Sequence, residues 1–78
     1  MLEMDKQATK LVMMANQIAG FFAVQGEERA VPQIARHIEK FWDPRMRLGI
    51  RAHLASGGAG LDLLARAAIE RLERTQSA

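Results

Sequence analysis

Residues 11–25, LVMMANQIAGFFAVQ, carry no charged side chain. Their apolar side chains recur at spacings of three and four, so that Leu11, Ile18 and Phe22 share one face. This periodicity predicts an amphipathic first helix over Asp5–Phe22. The stretch is shorter and more polar than a membrane span, which needs about 20 apolar residues. We therefore expect a helix that packs against other protein and does not enter a bilayer.

The opposite face of this first helix carries Met13, Gln17 and Phe21. A face turned to water normally carries Lys or Glu, so a helix that is apolar on two faces is expected to be covered on both. Methionine adapts well to irregular partner surfaces. We predict that these three residues form a protein contact. The alternative is that they are scattered exposed apolar residues, which are common on protein surfaces.

The rest of the chain predicts three further helices bounded by capping residues, prolines or glycines: Arg29 to Phe41 or Trp42, Pro44 to about Ala55, and Asp62 to a frayed tail at 75–78. Pro32 is expected in the first turn of the second helix, where its missing N–H has no helical partner. Asp43 is expected to cap the third helix. Because Phe41 continues the spacing of Ile34 and Ile38, we place it in the core.

Small size and the absence of cysteine limit what this chain can be. With 78 residues and no Cys, it has no disulfide framework, zinc–thiolate site or iron–sulfur cluster. A core of this size leaves an isolated monomer only marginally stable, which favours a partner or a homodimer. The opening MLEMDK does not resemble a secretion signal. We predict an all-α fold, a small single-domain bundle of about four helices over residues 1–78, in a reducing cytoplasm.

The middle of the chain concentrates positive charge. Between Arg36 and His53, five Lys and Arg residues stand against two acidic ones, whereas the overall net charge is only +2. A capped helix start explains the Asp-Pro pair there but not the neighbouring Trp and arginines. The residues that we predict to form a second contact surface are Trp42, Arg45, Arg47 and Arg51. Such a surface suits an acidic protein, a phosphate or a nucleic acid, and a plain solvated face explains the charges equally well.

Neither a catalytic nor a metal site is predicted. His37 and His53 are far apart in sequence with no Cys, and the chain has no Tyr and only two Ser. The glycine run at 57–60 lacks the strand before it and the Lys-Ser/Thr after it that phosphate-binding loops require, so we interpret it as a helix end. Asn16 lies at the edge of the apolar face of the first helix. We expect it to hydrogen-bond a neighbouring helix or backbone, because an unpaired buried amide is destabilising.

Three strings carry a resemblance to a known family: MANQIA at 14–19, FWDPRMR at 41–47 and GGAGLD at 57–62. In this order they resemble the delta subunit of soluble NAD-dependent, molybdenum- or tungsten-containing formate dehydrogenases. The resemblance implies a non-catalytic accessory subunit of a cytoplasmic complex that oxidises formate and reduces NAD. It implies that the molybdopterin cofactor, iron–sulfur clusters, FMN and NAD belong to larger subunits. The chief partner would be the catalytic subunit, which this chain would assemble, stabilise or hold ready for cofactor insertion.

The alternative function is a small basic helix-turn-helix-like nucleic-acid-binding domain, in which the basic third helix would contact the nucleic acid. Such binding falls steeply with salt, because it releases counterions. The low net charge of +2 and the uncharged stretch that forms most of the first helix argue against this alternative.

Overall fold

The computed structural model describes the backbone of residues 6–77 and the side chains of residues 6–72. Within residues 6–77 the chain forms four α-helices, with bounds as follows: α1 (Lys6–Phe22), α2 (Glu27–Phe41), α3 (Pro44–Ala55) and α4 (Leu63–Ser77). A single 3₁₀ turn, Ala23–Gln25, connects α1 to α2. The predicted all-α fold is confirmed, and α3 has the predicted bounds.

The chain ends differ in part from the prediction. Asp5, the expected start of the first helix, lies outside the described residues, as does Ala78. The fourth helix continues to Ser77, so its backbone includes most of the tail that the sequence predicts to fray.

Helix α2 starts earlier than the sequence predicts. Gly26 precedes it with φ +89°, a conformation that glycine adopts without strain, and Glu27 and Glu28 occupy the first turn. Two carboxylates there interact favourably with the positive end of the helix dipole. Because of this early start, Pro32 lies inside α2 and the expectation of a first-turn proline is wrong. The carbonyl of Glu28, an exposed residue, loses its helical donor at this proline.

Helix α3 is closed at both ends by local hydrogen bonds. The carboxylate of Asp43 accepts from the backbone N–H of Met46 at 2.9 Å, which confirms the predicted cap. At the other end the N–H of Gly58 donates to the carbonyl of His53 at 2.9 Å, and Gly57 donates to Leu54 at 3.0 Å. This is a Schellman termination, with φ positive at both glycines. The glycine run therefore ends a helix, as predicted.

The core lies where the inner faces of all four helices meet. Among residues 6–72 it contains fourteen buried residues, which are small or aliphatic with one aromatic: Leu11, Val12, Ala15, Ala19, Ala30, Ile34, Ala35, Ile38, Trp42, Ile50, Ala65, Ala68, Ile69 and Leu72. Helices α2 and α4 form the most extensive pair, while α1 contacts the other three. At Gly49 of α3 an added Cβ would lie 2.9 Å from a methyl group of Leu11, so glycine permits the close approach of α1 and α3.

The end of α2 corrects one core assignment. Trp42 is 4% exposed and belongs to the core, whereas Phe41 is 67% exposed, so the prediction that Phe41 is buried is wrong. The backbone turns to an extended conformation at Trp42, with φ −90° and ψ 137°. The buried positions Ile34 and Ile38 continue at a spacing of four to Trp42, which places the indole and not the phenyl ring on the inner side.

The loop between α3 and α4 is held by side chains from three helices, which we call the loop clamp: Asn16, His53 and Arg66. Asn16 Nδ2 donates to the carbonyl of Gly60 at 2.9 Å, and Asn16 Oδ1 accepts from the N–H of Asp62 at 2.9 Å. His53 Nε2 donates to the carbonyl of Ala59 at 2.8 Å, and Arg66 Nη2 donates to that of Gly57 at 2.6 Å. The expectation that Asn16 bonds a neighbouring backbone is confirmed.

We expect Asn16→Ala to lower the free energy of unfolding by about 1–3 kcal/mol, because it leaves Gly60 and Asp62 without their α1 partner. Urea titration followed by helical circular dichroism measures the loss. The matched control is Gln17→Ala, next in sequence and exposed, for which a change within about 0.5 kcal/mol is expected. Equal stability of the two variants would show that the clamp does not hold the fold.

Candidate partner interface

The predicted contact on α1 lies on the surface. Met13 and Phe21 are 58% and 74% exposed, and Gln17 between them is exposed as well. Because they are spaced by four residues, they form one line along the helix, which we call the outer stripe. Val24 in the following 3₁₀ turn is also exposed. The structure therefore brings these side chains together, and their contact with a partner stays a prediction.

A row of aromatic rings continues from the end of the outer stripe onto α2. Phe21 and Phe22 meet edge to face with ring centroids 5.2 Å apart, and Phe22 meets His37 at 6.2 Å. The row ends with His37 and Phe41, whose centroids are 4.7 Å apart with the rings tilted by 41°. We call these four residues the aromatic ridge. Phe21 and Phe41 at its ends are exposed, and the two middle rings are half-buried.

A shallow groove runs beside the ridge. Its lining is aromatic, amide or cationic: Phe22, Gln33, Arg36, His37, Lys40 and Phe41. Arg36 and Lys40 are exposed. The amide Nε2 of Gln33 donates to Oε1 of Gln25 at 2.6 Å, which ties the α1–α2 connection to the middle of α2. The groove therefore combines apolar ring surface with two cations.

Sequence reasoning missed most of the ridge. It placed Phe41 in the core, and it treated His37 as a poor metal ligand that is more simply structural or exposed. Phe22, which it placed on the inner face of the first helix, does pack against the core. The available signal was the spacing of His37 and Phe41, which are four residues apart and therefore neighbours on the surface of α2. The two phenylalanines that follow each other at the end of α1 were a second signal, because adjacent helical residues cannot both point fully inward.

The four residues of the second predicted contact surface do not all lie on the outside of the fold. Trp42 is buried, so its expected place beside the arginines on the outside is wrong. Arg47 is half-buried, and its Nη1 donates to the carbonyl of Trp42 at 2.7 Å and to that of Glu39 at 3.1 Å. It thus bonds carbonyls at the C-terminal end of α2, where a cation is favourable. Arg51 is half-buried and Arg45 is exposed.

Residues 10–69 match the family described as NADH-dependent formate dehydrogenase delta subunit, FdsD. The chain belongs to this family. Membership makes the other subunits of formate dehydrogenase its partners. Neither a curated protein nor a solved structure matches the chain. No helix in the described part of this delta-subunit family member is long and apolar enough to span a membrane.

The strings that carry the resemblance have clear structural roles in this delta-subunit family member. MANQIA supplies Asn16 of the loop clamp, and FWDPRMR supplies the buried Trp42, the Asp43 cap and the Arg47 bonds to α2. Phe41 opens the second string but belongs to the exposed ridge. Among the residues that the structure describes, no cluster of three His, Asp or Glu side chains could hold a metal ion.

We expect Trp42→Ala to lower the free energy of unfolding by about 3–5 kcal/mol, because it removes a buried indole from the core. Arg45→Ala, which changes an exposed side chain a few residues away, should alter it by less than about 0.5 kcal/mol. Thermal unfolding followed by circular dichroism compares them. An unchanged melting temperature for Trp42→Ala would contradict the burial of this residue.

Proposed function

We propose that this chain is a non-catalytic accessory subunit that assembles or stabilises the larger subunits of an NADH-dependent formate dehydrogenase. The observation that carries the proposal is the exposure of the large apolar side chains Met13, Phe21 and Phe41 along the outer stripe and the aromatic ridge, on a chain of the delta-subunit family. Large exposed apolar patches on small proteins mark interaction surfaces. Aromatic side chains and methionine are enriched in such interfaces.

The size of the chain supports a role within a complex. Six of the fourteen buried core residues are alanines, each of which removes little apolar surface from water. At the same time, large side chains such as Phe21 and Phe41 remain in water. Covering them in a complex would add the apolar burial that the isolated fold leaves unused, and binding to the folded form would stabilise it.

We also propose which subunits bind the cofactors and which subunit this chain contacts. The molybdopterin cofactor, the iron–sulfur clusters, FMN and NAD would be bound by the larger subunits in the cytoplasm. This chain would contact chiefly the catalytic subunit and would help it reach or keep its molybdenum-loaded form. Such a role requires only a stable contact surface on this chain, and the exposed stripe and ridge are of that kind.

The test expresses the larger subunits in two cultures of the same cells. One culture also produces this chain with an affinity tag, and the other lacks the chain. We expect the tagged chain to recover the catalytic subunit, and the recovered complex to reduce NAD with formate. Without the chain, we expect less assembled enzyme and less molybdenum per catalytic subunit, measured by mass spectrometry of the purified protein. Recovery of the chain free of the larger subunits, with equal enzyme yield and metal content in both cells, would contradict the proposal.

The nucleic-acid alternative is tested with the same purified chain. A helix-turn-helix domain would bind duplex DNA with an affinity that falls steeply between about 50 and 200 mM salt. We expect the chain to show no such binding at concentrations at which it recovers the catalytic subunit. Salt-sensitive DNA binding combined with loss of subunit recovery would favour the alternative.

A further inference from the structure

We infer that the aromatic ridge and its two cations form the docking site for an amphipathic helix of a larger subunit, whose apolar side chains are bordered by Asp or Glu. The inference rests on the proposed function, since it takes the partner to be a subunit of the same enzyme. It adds which surface of this chain is used and what chemistry the partner segment carries. The residues that carry it are Phe21, Phe41, Arg36 and Lys40.

The aromatic rings give the proposed docking site its apolar surface. Phe21 and Phe41 are mostly exposed, at 74% and 67%, although each is a large apolar side chain. Phe22 and His37 connect them, so the successive centroid separations of 5.2, 6.2 and 4.7 Å form one unbroken row. Phe22, His37 and Phe41 of this row also line the groove, so that rings form part of its wall. An amphipathic helix lays its apolar face into a groove of this kind through side chains about one turn apart.

The residues on the α2 side of the ridge give the proposed docking site its positive charge. Of the six residues that line the groove, Arg36 and Lys40 are cationic and none has a carboxylate. The nearby carboxylate of Glu39 belongs to a different groove, on the far side of Arg36 and next to α4. A partner segment that packs on the rings therefore meets positive charge along one border. Acidic residues at that border would be attracted, whereas basic ones would be repelled.

The same charges argue against a second copy of this chain as the occupant. In a two-fold symmetric dimer the patch of one copy packs on the same patch of the other, whose groove lining supplies no carboxylate for these cations. When the axis crosses the ridge, the same border of both copies also comes together. Arg36 and Lys40 of one copy would then lie near those of the other. Like charges across an interface are unfavourable. An acidic, apolar helix from another subunit meets no such repulsion.

The first test uses variants of the full chain in the complete set of subunits. Phe21→Ser with Phe41→Ser should weaken binding of the catalytic subunit by about 30-fold or more, because the partner would bury both of these large exposed rings. Arg36→Glu with Lys40→Glu should weaken it by about tenfold or more at low salt, and by less at high salt. Surface-immobilised chain and purified larger subunits provide the dissociation constants.

Matched controls lie outside the ridge. Leu63→Ser removes an exposed apolar side chain at the start of α4, and Glu70→Lys reverses an exposed charge further along α4. We expect both controls to bind like the unaltered chain. Circular dichroism of every variant checks that the helices are retained, and the exposed positions of the substituted residues make this the expected result. Ridge variants that fold and bind as tightly as the controls would overturn the inference.

The second test identifies the occupant directly. Phe41 is replaced by a photoreactive benzoylphenylalanine in the assembled complex, and the cross-linked peptide is sequenced by mass spectrometry. The expected product is a peptide of a larger subunit with apolar residues at helical spacing and Asp or Glu beside them. Cross-links only to a second copy of this chain, or to a segment with basic borders, would contradict the inference. Placement of the same probe at Leu63 should not yield that peptide.

The outcomes separate the inference from the proposed function. If the unaltered chain fails to recover any larger subunit, the proposed function fails and the inference fails with it. If the unaltered chain and the ridge variants recover the catalytic subunit equally well, the proposed function stands and only the inference is overturned. Loss of recovery in the ridge variants alone, together with the acidic cross-linked peptide, supports both.

Discussion

The two hydrogen bonds of the Asn16 amide connect α1 directly to the loop that leads into α4. One group on α1 donates to Gly60 and accepts from Asp62, two residues that follow more than forty positions later. The second of these bonds engages the N–H of the residue whose carbonyl accepts the first backbone hydrogen bond of α4, from Arg66. It therefore fixes where α4 starts relative to α1. From that start α4 extends along α2, with which it makes the largest helix pair of the core.

The backbone conformation and the close contacts of this loop explain why it contains glycine. Gly58 has φ +66°, and a Cβ added there would lie 2.8 Å from the guanidinium of Arg66. Arg66 uses that guanidinium to bond the carbonyl of Gly57. Side chains from three helices thus converge on a short backbone segment that has little bulk of its own. The glycine run is a meeting point for polar side chains of the fold, and this structural role accounts for its sequence.

The burial of Trp42 in place of Phe41 determines which of the two aromatic side chains lies on the surface. Burial of the indole completes the core at the end of α2, and the carbonyl of Trp42 receives Arg47 from α3. With that position taken by Trp42, Phe41 points outward beside His37. The aromatic ridge is therefore a consequence of how the core is closed. Outward-facing aromatic rings are side chains of the kind that protein interfaces are enriched in.

Local sequence determined the helices themselves. Apolar spacing predicts where the helices lie. The Asp43–Pro44 start and the glycines after α3 act through hydrogen bonds between near neighbours in sequence. These predictions agree with the structure. The helical period alone likewise places Met13 and Phe21 on the side of α1 away from Leu11, so their position outside the core was predictable. The early start of α2 was missed, because the acidic first turn was not weighed against Pro32.

Only the tertiary structure decided which of two adjacent aromatic residues is buried and which charged groups bond the backbone. Phe41 and Trp42 both lie near the apolar side of α2, and the choice depends on the space that the other helices leave. Arg47 has the same charge as Arg45 in the sequence, but it meets carbonyls at the end of α2 while Arg45 stays in water. Such outcomes depend on contacts between helices, which the helical period of one segment does not contain.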